Sequence, residues 1–210
     1  MSSMDTRVFL VRHAQTLSNV TGRYMGWIDE DLSDEGIWQA KQLSHRLEGQ
    51  AIASAYSSPL KRACRTAEII VIPHSLPVFP LQELGEIRIG AWEGLSATEI
   101  AARFPDIWQA WRSDPSSIQM PGGESLAQVQ ERAIASFETI VETNRGLDVL
   151  VVTHDVIVRI LAAYCLNVST SIYRQLEVAN ASLTIIRPIK DGQYRLQVLN
   201  DTGHLEIDPR

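Results

Sequence analysis

The chain has 210 residues, 45% apolar and 21% charged, with 25 acidic against 19 basic side chains and a net charge of −6. That length supports one domain with a substantial core, and the balance excludes a disordered chain and a broadly basic nucleic-acid surface. No apolar run approaches the roughly 20 residues of a membrane span, and Met1-Ser2-Ser3-Met4-Asp5 lacks the charged and apolar regions of a secretory signal, so the expectation is a cytoplasmic protein with no membrane or nucleic-acid partner.

Val8-Phe9-Leu10-Val11 is a short apolar run that stops at Arg12-His13, the pattern of a buried parallel strand. A polar loop follows. Ser33 then caps a helix on which Ile37, Ala40, Leu43 and Leu47 recur at helical spacing, with Gly49 expected to close it. Residues 51–56 read as a second strand. Ser58-Pro59 is expected to cap and open the next helix, which runs towards Ile70 and places Arg62 in its first turn. Ser96-Ala97-Thr98-Glu99 and Ser125-Leu126-Ala127-Gln128 fit capping boxes. The second opens a helix with Leu126, Val129, Ala133, Ile134, Phe137, Ile140 and Val141 on one face. Val149-Leu150-Val151-Val152 is another buried strand, ending in Thr153-His154-Asp155 and leading into a helix through Tyr164. Residues 183–187 and 194–199, joined across Lys190-Asp191-Gly192, form a closing hairpin. The alternation predicts an α/β three-layer sandwich: a mostly parallel central sheet, helices on both faces, and one antiparallel addition.

Cys64 and Cys165 fall in apolar helical stretches and read as buried thiols. There is no CxxC, HxH or HExxH, so the sequence carries no signal for zinc or another metal.

Ligands of open α/β sheets bind beyond the carboxyl ends of the strands. Two strands here end in histidine, His13 beside Arg12 and His154 after Thr153, and a third end feeds the helix that carries Arg62. Two arginines and two histidines suit phosphate: guanidinium matches its oxygens in a bidentate way, and neutral imidazole is a nucleophile near pH 7. Protonating a departing alkoxide requires an acid, and Glu86 and Glu93 are both candidates that spacing alone does not separate.

The motifs Arg12-His13-Ala14-Gln15-Thr16 with Asn19, Gly26-Trp27, Leu32-Ser33-Asp34-Glu35-Gly36, Ser58-Pro59-Leu60-Lys61-Arg62-Ala63, Gly90-Ala91-Trp92-Glu93-Gly94, Pro121-Gly122-Gly123-Glu124-Ser125 and Val151-Val152-Thr153-His154 occur in that order. Together they resemble the histidine phosphatase superfamily, in its phosphoglycerate-mutase-like branch, over nearly the whole chain. The resemblance implies His13 as phosphorylated nucleophile, Arg12, Arg62 and His154 as ligands of the phosphoryl oxygens, and Glu86 rather than Glu93 as proton donor. It also implies that Asn19 and the backbone around Gly26 line the phosphate site, that no metal is required, and that a helical cap is inserted near residues 95–120 of one 1–210 domain. Trp108, Trp111 and Arg112 are candidates for shaping a selectivity pocket in that cap. Ala14 and Asp155 depart from the family pattern; Ala14 is harmless outside the left-handed region, and Asp155 is expected to turn away and cap its helix.

The expected activity is hydrolysis of small phosphate esters by a monomer or homodimer. A phosphoglycerate mutase using 2,3-bisphosphoglycerate, an idle phosphate-binding module and a zinc hydrolase are the alternatives.

Overall fold

The computed structural model describes residues 6–206; the amino-terminal segment read for a secretory signal lies outside them, as do residues 207–210. The most apolar strands sit at the centre of a six-stranded sheet of order β3-β2-β4-β1-β5-β6. Strand β1, Arg7–Arg12, lies parallel to β4, Asp148–Thr153, every residue of which is buried. Strand β2, Ile52–Ser57, runs parallel on the other side of β4, and a short β3, Val78–Pro80, pairs parallel at that edge. Strands β5, Leu183–Pro188, and β6, Tyr194–Asp201, complete the other edge as the expected antiparallel hairpin.

Alternation along the central strands builds two cores. Phe9, Val11, Leu150 and Val152 face Leu43 and Leu47 of α2, Asp34–Leu47, and Ala63, Ala67 and Ile70 of α3, Lys61–Ile70. Val8, Leu10, Val149 and Val151 face the opposite layer. There lie α6, Leu126–Thr143, contributing Leu126, Val129, Ala133, Phe137 and Ile140, and α7, Asp155–Cys165, contributing Ile157, Val158, Ile160 and Leu161. Successive strand side chains point to opposite faces, so an unbroken apolar run marks a strand covered on both sides.

Four local expectations change. The polar loop after β1 contains a short helix, α1, Leu17–Thr21, started by a capping box between Thr16 and Asn19. Helix α2 ends at Leu47 without a left-handed glycine, since Gly49 is not among the positive-φ residues. Helix α3 begins at Lys61, with Leu60 as its N-cap and no side-chain cap. Ser58 therefore does not cap it; its hydroxyl is engaged elsewhere. Strand β3 is only three residues long, too short for a periodicity signal. Residues 95–120 form α4, Ala97–Arg103, α5, Pro105–Ser113, and a 3₁₀ turn at Pro115–Ser117, with Ile100 and Trp111 anchored in the larger core.

Candidate active site

Strand register brings the histidines together. Arg12 is level with Thr153 in the parallel β1–β4 pair, and the ladder continues one step further as His13 N–H donates to the Thr153 carbonyl at 2.8 Å. His13 and His154 therefore leave adjacent strand ends, their ring centroids 5.1 Å apart. Strand β2 on the other flank of β4 ends level with them, since Ser58 N–H donates to the Val152 carbonyl at 2.9 Å. Three neighbouring carboxyl ends thus supply His13, His154 and the segment leading to Arg62.

The His13 ring is buried and has its tautomer set. Nδ1 lies 2.8 Å from the Ala14 carbonyl, an acceptor only, so Nδ1 carries the proton and Nε2 keeps its lone pair. Burial, then the charges of Arg62 and Arg12, hold its pKa well below the ordinary histidine value, leaving the ring neutral. His154 is fully buried and its pKa is likewise low, again chiefly through burial. Its Nε2 is 2.7 Å from Ser58 Oγ, which also accepts from the Leu60 N–H. The tautomer that leaves no hydroxyl hydrogen unpaired has Ser58 donating to Nε2, which places a proton on Nδ1. That buried Nδ1 has no partner in the protein, and His154 itself lies behind the cleft, not among its lining residues.

Arg62 lies 3% exposed in the first turn of α3. Its NH1 donates to the Ile28 carbonyl at 3.0 Å and its NH2 to the Gly26 carbonyl at 2.8 Å, so the loop orients the guanidinium. Gly26 serves the site by holding Arg62, and a side chain there is excluded: φ is +51° and a Cβ would stand 2.6 Å from Ile89 Cγ1. Arg12 donates from NH1 to the Val178 carbonyl at 2.5 Å, and its buried Nε has no protein partner. Asn19 lines the same cleft, its Oδ1 accepting from Thr16 and Asn180. Ala14 lies outside the positive-φ residues and packs with Ala40, Ile69 and Ala181, so its methyl is accommodated.

Glu86 and Glu93 have different surroundings. Glu93 Oε1 accepts the Trp27 N–H at 2.9 Å and is not among the cleft-lining residues. Glu86 lines the cleft, and its Oε1 accepts the Ile87 N–H at 2.9 Å. Burial, and then the charge of Asp155, pushes its carboxyl up to about 7, against the opposing pull of that hydrogen bond, Arg62 and Arg12. A carboxyl in that range is protonated for part of the time at neutral pH and can both give and take a proton.

Asp155 overturns its expectation. It is the first residue of α7, but its side chain caps nothing and lines the cleft. Its carboxylate takes both Arg159 Nε at 2.9 Å and NH2 at 3.0 Å, accepts from Tyr173 Oη at 3.3 Å, and lies 3.6 Å from Arg12 NH1. Arginines flank the charge, Arg159 and Arg12, which offsets the cost of holding a carboxylate in the cleft. The cleft, of about 390 Å³, continues past Tyr24, Ile89, Trp111, Met120 and Tyr173. Trp111 reaches it, whereas Trp108 and Arg112 do not line it; Trp108 packs edge-on against Tyr24 and Trp92. Sequence reasoning missed Ser58 as the partner of His154, although its position directly after a strand was the available signal. Tyr24 and Tyr173 carried none.

Among the described residues, no group of three or more His, Cys, Asp or Glu side chains is arranged to hold a metal ion. Cys64 and Cys165 are free thiols, the latter pushed by burial up to about 12.

The model of the histidine phosphatase superfamily (branch 1) matches residues 8–202. Phosphoserine phosphatase 1 of Hydrogenobacter thermophilus is 34% identical, over 95% of this chain and 94% of its own. The metal-independent phosphoserine phosphatase of Arabidopsis thaliana is 32% identical, over 98% of this chain and 85% of its own. Among solved structures, YhfR of Bacillus stearothermophilus superposes with a TM-score of 0.91 at 32% identity, covering 96% of this chain and all of that one.

Proposed function

The chain belongs to the histidine phosphatase superfamily, branch 1, and from that premise we propose that it hydrolyses small phosphomonoesters through a phosphorylated His13. The observation that carries the reading is one cleft holding a neutral, tautomer-set His13, two arginines and a carboxyl tuned to about 7.

His13 Nε2 attacks phosphorus in line with the leaving oxygen. As the P–O bond breaks, Glu86 passes its proton to the departing alkoxide, leaving a phosphohistidine and a carboxylate. Glu86 then takes a proton from water, whose oxygen attacks phosphorus. The P–N bond breaks and inorganic phosphate leaves a neutral His13. Arg12, Arg62 and His154 Nδ1–H donate to the equatorial oxygens throughout, with Asn19 at the edge of the phosphate site, which places on fixed donors the charge that magnesium balances in many phosphoryl transfers. Segment 95–120 acts as the cap of this single domain, closing over the leaving group. Substrates are small phosphorylated metabolites, phosphoserine first among those to test, given the relatives' activities.

A mutase requires further cations for a second anionic group. Arg103, Arg112 and Arg132 are not among the cleft-lining residues. Arg23 is, but it donates to the Gly94 carbonyl at 2.6 Å and faces Glu99 at 3.4 Å. Water is therefore the acceptor in this reading. No helix of the described residues is long and apolar enough to cross a membrane. The free thiols suit a reducing compartment, and we place the protein in the cytoplasm as a monomer or homodimer.

Acid-quenched and alkali-quenched enzyme distinguish the intermediate. Label transferred from substrate should be lost in acid, survive alkali and disappear in His13→Ala, and turnover should persist after exhaustive chelation. A folded His13→Ala enzyme that still turns over removes His13 from the role. Isomerisation of 3-phosphoglycerate with 2,3-bisphosphoglycerate present, without phosphate release, restores the mutase.

A further inference from the structure

Glu86 stands on neither a strand nor a helix. It lies between 3₁₀ turns at Gln82–Leu84 and Gly90–Trp92, where no ladder of backbone hydrogen bonds fixes the chain. Three side chains hold the segment: Thr153 Oγ1 donates to the Leu84 carbonyl and Trp27 Nε1 to the Glu86 carbonyl, both at 2.6 Å, and Arg132 of α6 makes the most bonds. Its NH1 donates to the carbonyls of Glu83 at 2.6 Å and Gly85 at 2.8 Å, and its NH2 to the carbonyl of Glu86 at 3.0 Å. Nε and NH2 also meet the two Glu124 oxygens, at 2.8 and 2.9 Å. A guanidinium has five N–H donors, and all five are engaged here.

Glu124 belongs to the Pro121-Gly122-Gly123-Glu124-Ser125 motif, to which the mechanism gives no task. Its carboxylate also accepts the Arg88 N–H at 2.9 Å, and its own N–H donates to the Arg88 carbonyl at 2.8 Å. Gly123 permits that approach, since a Cβ there would stand 2.0 Å from the Arg88 carbonyl oxygen. One side of Glu86 is thus tied to Arg132 of α6 and the other to Glu124 just before that helix, and an ion pair joins the two, with side chains only 19% and 17% exposed. Such a pair is a weak source of stability because desolvation opposes it, but it fixes geometry well. With every donor engaged, Arg132 is not a ligand for substrate.

We propose that Arg132, oriented by Glu124, is a positioning residue for the proton donor, joining Trp27 and Thr153 in fixing the 83–86 backbone so that the Glu86 carboxyl stays at the leaving oxygen. The proposal rests on the reading of Glu86 as that donor. Displacement of a catalytic group by about 1 Å costs about 100-fold in rate. That loss falls on esters whose leaving group needs a proton.

The test compares kcat/KM for phosphoserine and p-nitrophenyl phosphate in wild type, Glu86→Gln, Arg132→Lys and Glu124→Gln. Lysine keeps the charge but cannot span three carbonyls and a carboxylate. Arg132→Lys should lose about 100-fold on phosphoserine and several-fold less on p-nitrophenyl phosphate, with inhibition by inorganic phosphate unchanged. Selective loss in Glu86→Gln together with equal loss on both esters, or no loss, in Arg132→Lys overturns the positioning role. Equal loss in Glu86→Gln itself overturns the donor reading instead. If Arg132→Lys does not fold, Glu124→Gln, which leaves the carbonyl contacts in place, decides by the same comparison.

Discussion

Replacing Glu86 with Gln removes a charge that the fold accommodates poorly, and the gain should appear in stability before any kinetics are measured. Burial and the neighbouring Asp155 raise the carboxyl from its ordinary 4.5 to about 7. The folded state therefore binds the Glu86 proton more tightly than the unfolded chain does. Below pH 4.5 both states are protonated and no difference exists. As the pH rises from 4.5 to about 7 the unfolded chain releases its proton while the folded one retains it, so wild-type stability falls over that window. Above about 7 the penalty is constant. That interval, at about 1.4 kcal/mol for each pH unit, amounts to about 3 kcal/mol. Gln keeps the shape and the acceptor for the Ile87 N–H but has no proton to lose. Urea unfolding of both proteins between pH 4.5 and 8 should show the Gln variant gaining about 3 kcal/mol relative to wild type across the range. The low histidine pKa values of His13 and His154 destabilise both proteins alike as pH falls below 6.5, so they largely cancel in the difference. A gap that does not change with pH would refute the claim that the fold penalises this charge, and with it the tuning on which the proton-transfer role depends.

Three further outcomes follow from other contacts. Asp155→Asn removes the neighbouring charge that raises Glu86, so the alkaline limb of kcat/KM for an alkyl phosphate should move to lower pH; a limb that stays or moves up refutes the coupling. Ser58→Ala leaves His154 without its 2.7 Å partner and should weaken inhibition by inorganic phosphate about tenfold, whereas unchanged inhibition would show that Ser58 does not hold the ring. Gly36→Ala lies in the first turn of α2, where the exchange ordinarily helps a helix, yet a Cβ there would stand 2.0 Å from the Gln15 carbonyl oxygen. The variant should lose about 1–3 kcal/mol in urea unfolding, and a stabilised protein would show that the Gln15 backbone yields freely.

The site places opposite demands on its groups. In the proposed mechanism Arg12 and Arg62 hold the phosphoryl group, and the same cations lower the histidine pKa values and oppose protonation of Glu86. Asp155 works against them. It draws on Arg12 at 3.6 Å and raises Glu86, so in the proposed phosphate pocket this carboxylate is part of the balance that keeps the Glu86 carboxyl near neutrality.

The central strands were legible because their apolar runs are local: Val8 to Val11 and Val149 to Val152 need no knowledge of neighbours to be read as buried. The paired histidines were legible too, since each ends such a run, and the capping boxes at Ser96 and Ser125 are spelled out within four residues. Ordered motifs extended this to the family, and so to the roles expected of His13, Arg62 and Glu86. What stayed hidden depended on partners distant in sequence. Ser58 meets His154 across 96 positions, and Arg132 meets the Glu83 carbonyl across 49. Asp155 is near Arg159 in the chain, which spacing could have paired, but its approach to Arg12 depends on β1 lying beside β4. Local sequence determined which segments became strands and helices, because backbone preference and burial period act over a few residues. Only the tertiary structure decided how each charge is oriented and tuned, because hydrogen-bond partners and burial are set by chain segments that meet only when the sheet assembles.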